Sequence, residues 1–222
     1  MRRLIVLDMD GTLYDLSDVM ATVYKTQVSF LCDRMGWPEE KTIQLLREND
    51  VEPRVTKNSK SATEFFLRLG LGREEWTEYR QKHFPIEKID PAKAVSPILL
   101  DRFAKLGDIV LLTSNTSKVC RGILERIGMF ENPFMKTVCS DMTGEDIPFD
   151  KYHEMKKLMD AHTYDSLISI GDRYQTDIVP ALKQGGCGFL VSGCNSLGKV
   201  CEDLESGHLR SCSEYEYFQS EE

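Results

Sequence analysis

Apolar and polar positions follow one another along the chain in two rhythms. Five short, nearly continuous apolar runs read as strands: 3–8 (RLIVLD), 108–113 (DIVLLT), 136–140 (KTVCS), 166–171 (SLISIG) and 187–191 (CGFLV). Such runs suit strands covered on both faces, as in a parallel sheet. From residue 96 onward, helical patterns fall between them. SPILLDRFAKLG begins with Ser-Pro and stops at a glycine, as a helix does. SKVCRGILERIG repeats Val119, Ile123 and Ile127 on one face and ends at Gly128, and FDKYHEMKKLMDAH and QTDIVPALKQGG follow. Alternation of this kind predicts an α/β fold, a parallel sheet between two layers of helices. Ligands of such sheets sit outside the carboxyl ends of the strands.

The interval between the first two strands breaks the alternation. Residues 15–92 contain no convincing strand but four helical patterns: SDVMATVYKTQVSFLCDRMG, PEEKTIQLLREND, SATEFFLRLG and REEWTEYRQKHF. The stretch is too long for a single crossover. A small all-helical domain at 15–92, inserted into a core made of 1–14 and 93–222, accounts for it. The acidic tail from Cys201 is expected to be partly ordered helix at best.

Composition changes this picture little. At 222 residues, with 41% hydrophobic and 29% charged positions, the chain suits one core domain with an insert. A net charge of −8 argues against a general nucleic-acid binder, while leaving room for a small anionic substrate held by a metal or a local basic pocket. MRRLIVLD is too short in its apolar part for a signal peptide, and no run approaches a membrane span, so a cytoplasmic protein is expected. The seven cysteines include no C-x-x-C pair and are expected to be free thiols.

The chemistry begins where the first apolar run ends, in Asp8 and Asp10 followed by Gly11 and Thr12. Carboxylates two residues apart on a strand point roughly the same way and repel, and a hard cation that takes oxygen ligands offsets that cost. The second strand ends in Ser114 and Asn115, and the fourth in Gly171, Asp172 and, after four residues, Asp177. A lone D-x-D is common on exposed turns. Combined with a hydroxyl and a G-D-x(4)-D at two other strand ends, it is specific.

With these residues the sequence resembles the haloacid dehalogenase (HAD) superfamily, over residues 3–192. The hallmark D-x-D-G-T-L is Asp8 to Leu13, the Thr/Ser motif fits Ser114, and the acidic motif fits Asp172 and Asp177. The resemblance implies a Rossmann-like core, with the helical insert in the place of the family's smaller cap. It also implies Mg²⁺ held by the Asp8 carboxylate, the Asp10 backbone carbonyl and Asp172, with Asp177 as ligand or behind it.

The roles implied are chemical. Asp8 would attack phosphorus and form an aspartyl-phosphate, and Asp10 would protonate the leaving alcohol and then activate water. Ser114 and backbone amides near Gly11 and Asn115 would hold the transferred oxygens. Gly11 lets the chain turn tightly beneath the phosphate. Thr12 either contacts the ligand or braces the loop, and Tyr14 either closes over the site or packs under the cap.

One motif departs from the family. A lysine, often as Lys-Pro, normally precedes the G-D motif by about two dozen residues, and here Asp146 and Ile147 stand at that register. Lys151, in the first turn of the following helix, is the expected substitute, ahead of Lys118 and Lys136. The insert also carries a basic stretch with Arg54, Lys57, Asn58 and Lys60, suited either to the non-reacting part of a substrate or to an exposed loop.

The expected activity is Mg²⁺-dependent hydrolysis of a small phosphorylated metabolite, such as a nucleotide or a sugar phosphate. A phosphomutase also keeps both aspartates and remains an alternative. So does a catalytically weak phosphoester-binding protein, favoured by the displaced lysine. A dehalogenase would lack the second aspartate that Asp10 supplies.

Overall fold

A computed structural model describes residues 2–51, 61–129, 133–142 and 149–207, together with the backbone of Glu216–Phe218. The apolar runs form strands β1 (Arg3–Leu7), β2 (Asp108–Leu112), β3 (Lys136–Val138), β4 (Ser166–Gly171) and β5 (Cys187–Val191). A further short strand, β6 (Glu216–Phe218), extends the sheet where the sequence pattern suggested helix at best. It pairs with β5, setting Leu190 opposite Tyr217. The sheet is parallel throughout, in the order β3-β2-β1-β4-β5-β6.

Strand pleating sends successive side chains to opposite faces, and each face has its own core. On one side Ile5, Leu7, Ile109, Leu111, Ile168 and Ile170 pack against helices α5 (Pro97–Leu106), α6 (Ser117–Arg126) and α9 (Ser196–Glu205). On the other, Leu4, Val6, Val110 and Leu112 meet Met155 and Leu158 of α7 (Lys151–Ala161) and Ala181 of the short α8 (Val179–Leu182). These layers make the three-layer α/β/α core that the alternation predicts. Buried β1, covered on both faces, explains why its sequence is a solid apolar run.

Between β1 and β2 lie α1 (Ser17–Met35), α2 (Glu39–Glu48), α3 (Ala62–Arg68) and α4 (Arg73–His83). They surround a separate apolar cluster of Val28, Phe30, Leu31, Leu46, Phe65, Phe66 and Trp76. Phe30, Phe66 and Trp76 hold it together as an aromatic triad, with ring centroids 4.8 to 5.4 Å apart. The basic stretch with Arg54, Lys57, Asn58 and Lys60, and the register position at Asp146 and Ile147, lie outside the described residues.

Two expectations need correction. The stretch QTDIVPALKQGG is not one α-helix: Tyr174–Ile178 winds as a π-turn, with the Val179 amide donating to the Tyr174 carbonyl, before α8 begins. Pro180 has no N–H to give to a regular helix, so the turn before it widens. The cysteines are not all free: Cys187, at the start of β5, is in a disulfide whose partner lies outside the described residues. Cys32, Cys120, Cys139, Cys194 and Cys201 are free thiols. Among the described residues no helix is long and apolar enough to cross a membrane.

Candidate active site

Strand order reverses between β1 and β4. The chain leaves β1 for β2 and β3 on one side and later returns to β4 and β5 on the other. A crevice opens at the carboxyl ends of strands at such a point. Asp8 stands just past β1 and Asp172 just past β4, and the Asp8 amide donates to the Ile170 carbonyl at 2.9 Å, which locks the two strand ends in step.

Three carboxylates converge there. Asp8, Asp172 and Asp177 offer oxygens that all lie within 4.8 Å of one another. The π-turn carries Asp177 back toward β4, and Ser169 fastens it by donating its hydroxyl to the Asp177 carbonyl at 2.7 Å. Gly171 is required at this point, because a Cβ there would stand 2.4 Å from Asp177 Oδ2. Gly11 is required for two reasons: its φ is +72°, and a Cβ would meet Asp172 Oδ2 at 2.5 Å.

Lys151 answers the charge. As the first residue of α7, it sends Nζ to Asp8 Oδ1 at 2.5 Å and to Asp177 Oδ1 at 2.8 Å. Burial works against the ammonium, yet Asp177 and Asp8 outweigh it and hold its pKa above the usual lysine value. Burial likewise pushes the Asp8 carboxyl up, to about 7, against the pull of Lys151. Asp172 is raised as well, first by burial and then by the neighbouring carboxylates, with Arg173 opposing. Lys136 sits at the opening end of β3 and Lys118 is exposed on α6, both away from this cluster.

The donor set suits a hard divalent cation. The oxygens belong to carboxylates, and among the described residues no hydrogen-bond donor or ion pair reaches the Asp172 side chain, although it is buried. Asp177 is engaged differently: besides Lys151, its Oδ2 accepts from the Arg173 amide at 2.9 Å and its Oδ1 from the Thr176 hydroxyl at 3.2 Å. Those bonds make it a brace for Lys151 more than an open ligand.

Asp10 is held by donors from three directions. Tyr14 donates its hydroxyl to Oδ1 at 2.6 Å, and the Asn115 amide group reaches Oδ1 and Oδ2 at 3.0 and 3.1 Å. Arg80 of α4 reaches Oδ2 at 3.2 Å. Tyr14 therefore does not line the space over Asp8, and it shares its apolar cluster with Val19 and Ile89 of the insert. It is buried in the main core, and burial together with Asp10 pushes its pKa well up.

The remaining expected residues divide. Ser114 is exposed at the end of β2 and faces the same space as Asp8 and Lys151. The Asn115 side chain belongs to the site, but its backbone amide donates to the Thr113 hydroxyl at 3.1 Å and is not available to hold phosphate oxygens. Thr12 is fully buried and lines neither cavity at the site, and among the described residues its hydroxyl has no hydrogen-bond partner, so it neither contacts the site's open space nor braces the loop through a hydrogen bond. Sequence reasoning missed Arg80. The i, i+4 spacing of Trp76 and Arg80 marked one helix face without saying what that face meets.

No family model matches the sequence, and no curated protein matches it. Solved structures do. A haloacid dehalogenase-like hydrolase from Bacteroides fragilis is 15% identical, with a TM-score of 0.59 over 99% of this chain and 97% of that one. A HAD phosphatase from Thermococcus onnurineus is 16% identical, with a TM-score of 0.51 over 86% of each chain. A HAD-hydrolase from Bacillus subtilis, described as bound to magnesium, is 16% identical, with a TM-score of 0.50 over 86% of each. The likeness is one of fold, and it agrees with the motifs at Asp8–Leu13, Ser114 and Asp172–Asp177: this chain has the fold of the haloacid dehalogenase-like hydrolases.

Proposed function

We propose that the protein is a phosphomonoester hydrolase that uses Mg²⁺, with Asp8 as nucleophile and Asp10 as the proton carrier. The observation that supports this most is a cluster of three acids, two of them paired with one ammonium, beside a fourth acid held separately. Asp8 is paired with Lys151 and set beside Asp172 and Asp177, while Asp10, two residues on, is held apart by Tyr14, Asn115 and Arg80.

Mg²⁺ bound by Asp8, Asp172 and the Asp10 backbone carbonyl would supply charge that lets a carboxylate approach a phosphate dianion. The chain's own groups do the rest. Asp8 Oδ attacks phosphorus and the ester oxygen leaves, taking a proton from Asp10; Asp10 then takes a proton from the water that releases phosphate from Asp8. Lys151 balances charge on the transferred oxygens, and Ser114 donates a hydrogen bond to one of them. Asp177 keeps Lys151 aimed. Helices α1–α4 act as the cap that covers the leaving group.

The test is phosphate release from a panel of phosphomonoesters with and without Mg²⁺, in wild type and Asp8→Asn. Mg²⁺-dependent release that Asp8→Asn abolishes supports the proposal. Phosphate passed to a second sugar hydroxyl would identify a mutase. Equal behaviour of the two proteins would remove the catalytic reading.

A further inference from the structure

Among the described residues, three cations line the space onto which Asp8 opens: Lys151, Arg80 and Arg173. Two of them are already engaged. Lys151 bridges Asp8 and Asp177, and Arg80 reaches Asp10 Oδ2. Arg173 is anchored only through its main chain, where its amide donates to Asp177 Oδ2 at 2.9 Å. Its guanidinium, partly buried, makes no hydrogen bond, ion pair or ring contact among the described residues.

An arginine side chain carries five N–H donors in a planar fork and stays charged in a protein. Held partly out of water with none of those donors engaged, it costs free energy that a bound anion would offset. Burial works against its charge, while Asp172, Asp177, Asp8 and Asp10 together hold the charge in place. All four acids of the site therefore act on this guanidinium, yet none pairs with it. It faces the centre where phosphorus would meet Asp8.

The transferred group would bring three non-bridging oxygens to that centre, and few donors await them. The Asn115 amide is taken by the Thr113 hydroxyl, and the Thr12 amide by the Met9 carbonyl. Ser114 offers one hydroxyl, and Lys151 is divided between two carboxylates. A guanidinium fork matches two oxygens of a phosphoryl group at once, which an ammonium does not.

We propose that Arg173 is a further catalytic residue, whose free guanidinium grips two non-bridging oxygens of the transferred phosphoryl group. This rests on the reading of the site as a phosphomonoesterase. As the bond from Asp8 Oδ to phosphorus forms and the bond to the ester oxygen breaks, charge is spread over the non-bridging oxygens, and the Arg173 N–H groups donate to them without giving up a proton.

The test measures calorimetric binding of inorganic phosphate at saturating Mg²⁺, and hydrolysis of p-nitrophenyl phosphate, for wild type, Arg173→Gln and Arg173→Lys. Inorganic phosphate has no leaving group, so its affinity reports the phosphoryl position alone. Arg173→Gln should weaken it by about tenfold or more, the scale of hydrogen bonds to charged groups, and should lower kcat/KM by about a hundredfold. Arg173→Lys, a cation without the fork, should recover part of both. Melting without phosphate separates contact from support. Removing an unpaired, partly buried charge should leave the melting temperature at or above the wild-type value, and Mg²⁺ affinity should hold or rise once a cation beside Asp172 is gone.

Unchanged phosphate affinity in Arg173→Gln would overturn the proposal, even if turnover of an ester with a second acidic group, such as 3-phosphoglycerate, were lost. A fall in melting temperature that took phosphate and Mg²⁺ affinity down together would mark a residue that supports the fold, and would overturn it too. Phosphate binding that depends on Arg173, in a protein that hydrolyses no ester, would overturn the hydrolase and keep the grip. A wild type that neither binds phosphate nor hydrolyses esters would overturn both.

Discussion

The ammonium of Lys151 and the carboxylate of Asp8 meet at 2.5 Å although 143 residues separate them in the chain. Both are buried, and Asp177 completes the group from the other side of Lys151. Removing the cation would leave two buried carboxylates facing each other. Lys151→Ala should therefore destabilise the protein by about 3–5 kcal/mol. It should also lower kcat by about a hundredfold or more, the scale of losing a preorganised donor. Thermal melting and steady-state kinetics on one preparation check both, and unchanged kinetics would remove Lys151 from the reaction.

Tyr14, itself buried, supports the half-buried Asp10 through a hydrogen bond of 2.6 Å. Tyr14→Phe keeps the ring and removes that bond. A hydrogen bond to a charged group contributes about 1.5–3 kcal/mol. If this loss falls on proton transfer, kcat drops by about ten- to a hundredfold while KM stays as it was. A change confined to KM would speak against Tyr14 as the residue that positions Asp10.

Burial raises the Asp8 carboxyl from 3.8 to about 7 in the absence of a metal. Between those values the folded chain keeps a proton that the unfolded chain has released, so this group's stabilising contribution falls as pH rises from about 4 to about 7. The metal-free wild type should therefore lose melting temperature across that window relative to Asp8→Asn, whose amide does not titrate. Saturating Mg²⁺ should reduce the difference. A difference that grows in wild type's favour with rising pH would contradict the burial of Asp8.

Gly11→Ala tests the geometry of the D-x-D-G turn. The new methyl would stand 2.5 Å from Asp172 Oδ2 on a backbone with φ +72°. The expected cost is about 1–3 kcal/mol of stability. The more telling readout is the rise in melting temperature on adding Mg²⁺, which should be lost because Asp172 is displaced. A variant that still responds to Mg²⁺ like wild type would show that Asp172 is not a ligand.

Much of this could be read from the chain. Buried β1 has to be a solid apolar run, so the strand and the carboxylates at its tip stand out together. Lys151 was also within reach, because Asp8 calls for a cation and Lys151 stands in the first turn of the helix that follows the vacant lysine register. What could not be read depended on contacts across elements. Helical spacing placed Trp76 and Arg80 on one face of α4 but carried no signal that this face meets Asp10. Tyr14 was left open between the site and the underside of the cap, and only the fold shows its hydroxyl turned to the Asp10 carboxylate. The pairing of β6 with β5 depends on tertiary contacts that local propensity overlooks, whereas Pro180 marked locally where the regular helix would be interrupted. The disulfide at Cys187 likewise follows from which segments meet, which cysteine counting does not reveal.

The most direct measurement is acid quenching during turnover of a phosphomonoester with Mg²⁺, followed by peptide mass spectrometry of the chain. The expected result is a phosphoryl group on Asp8, absent when the metal is chelated and absent from Asp8→Asn. Turnover with no phosphoryl group on Asp8, and with Asp8→Asn as active as wild type, would contradict it.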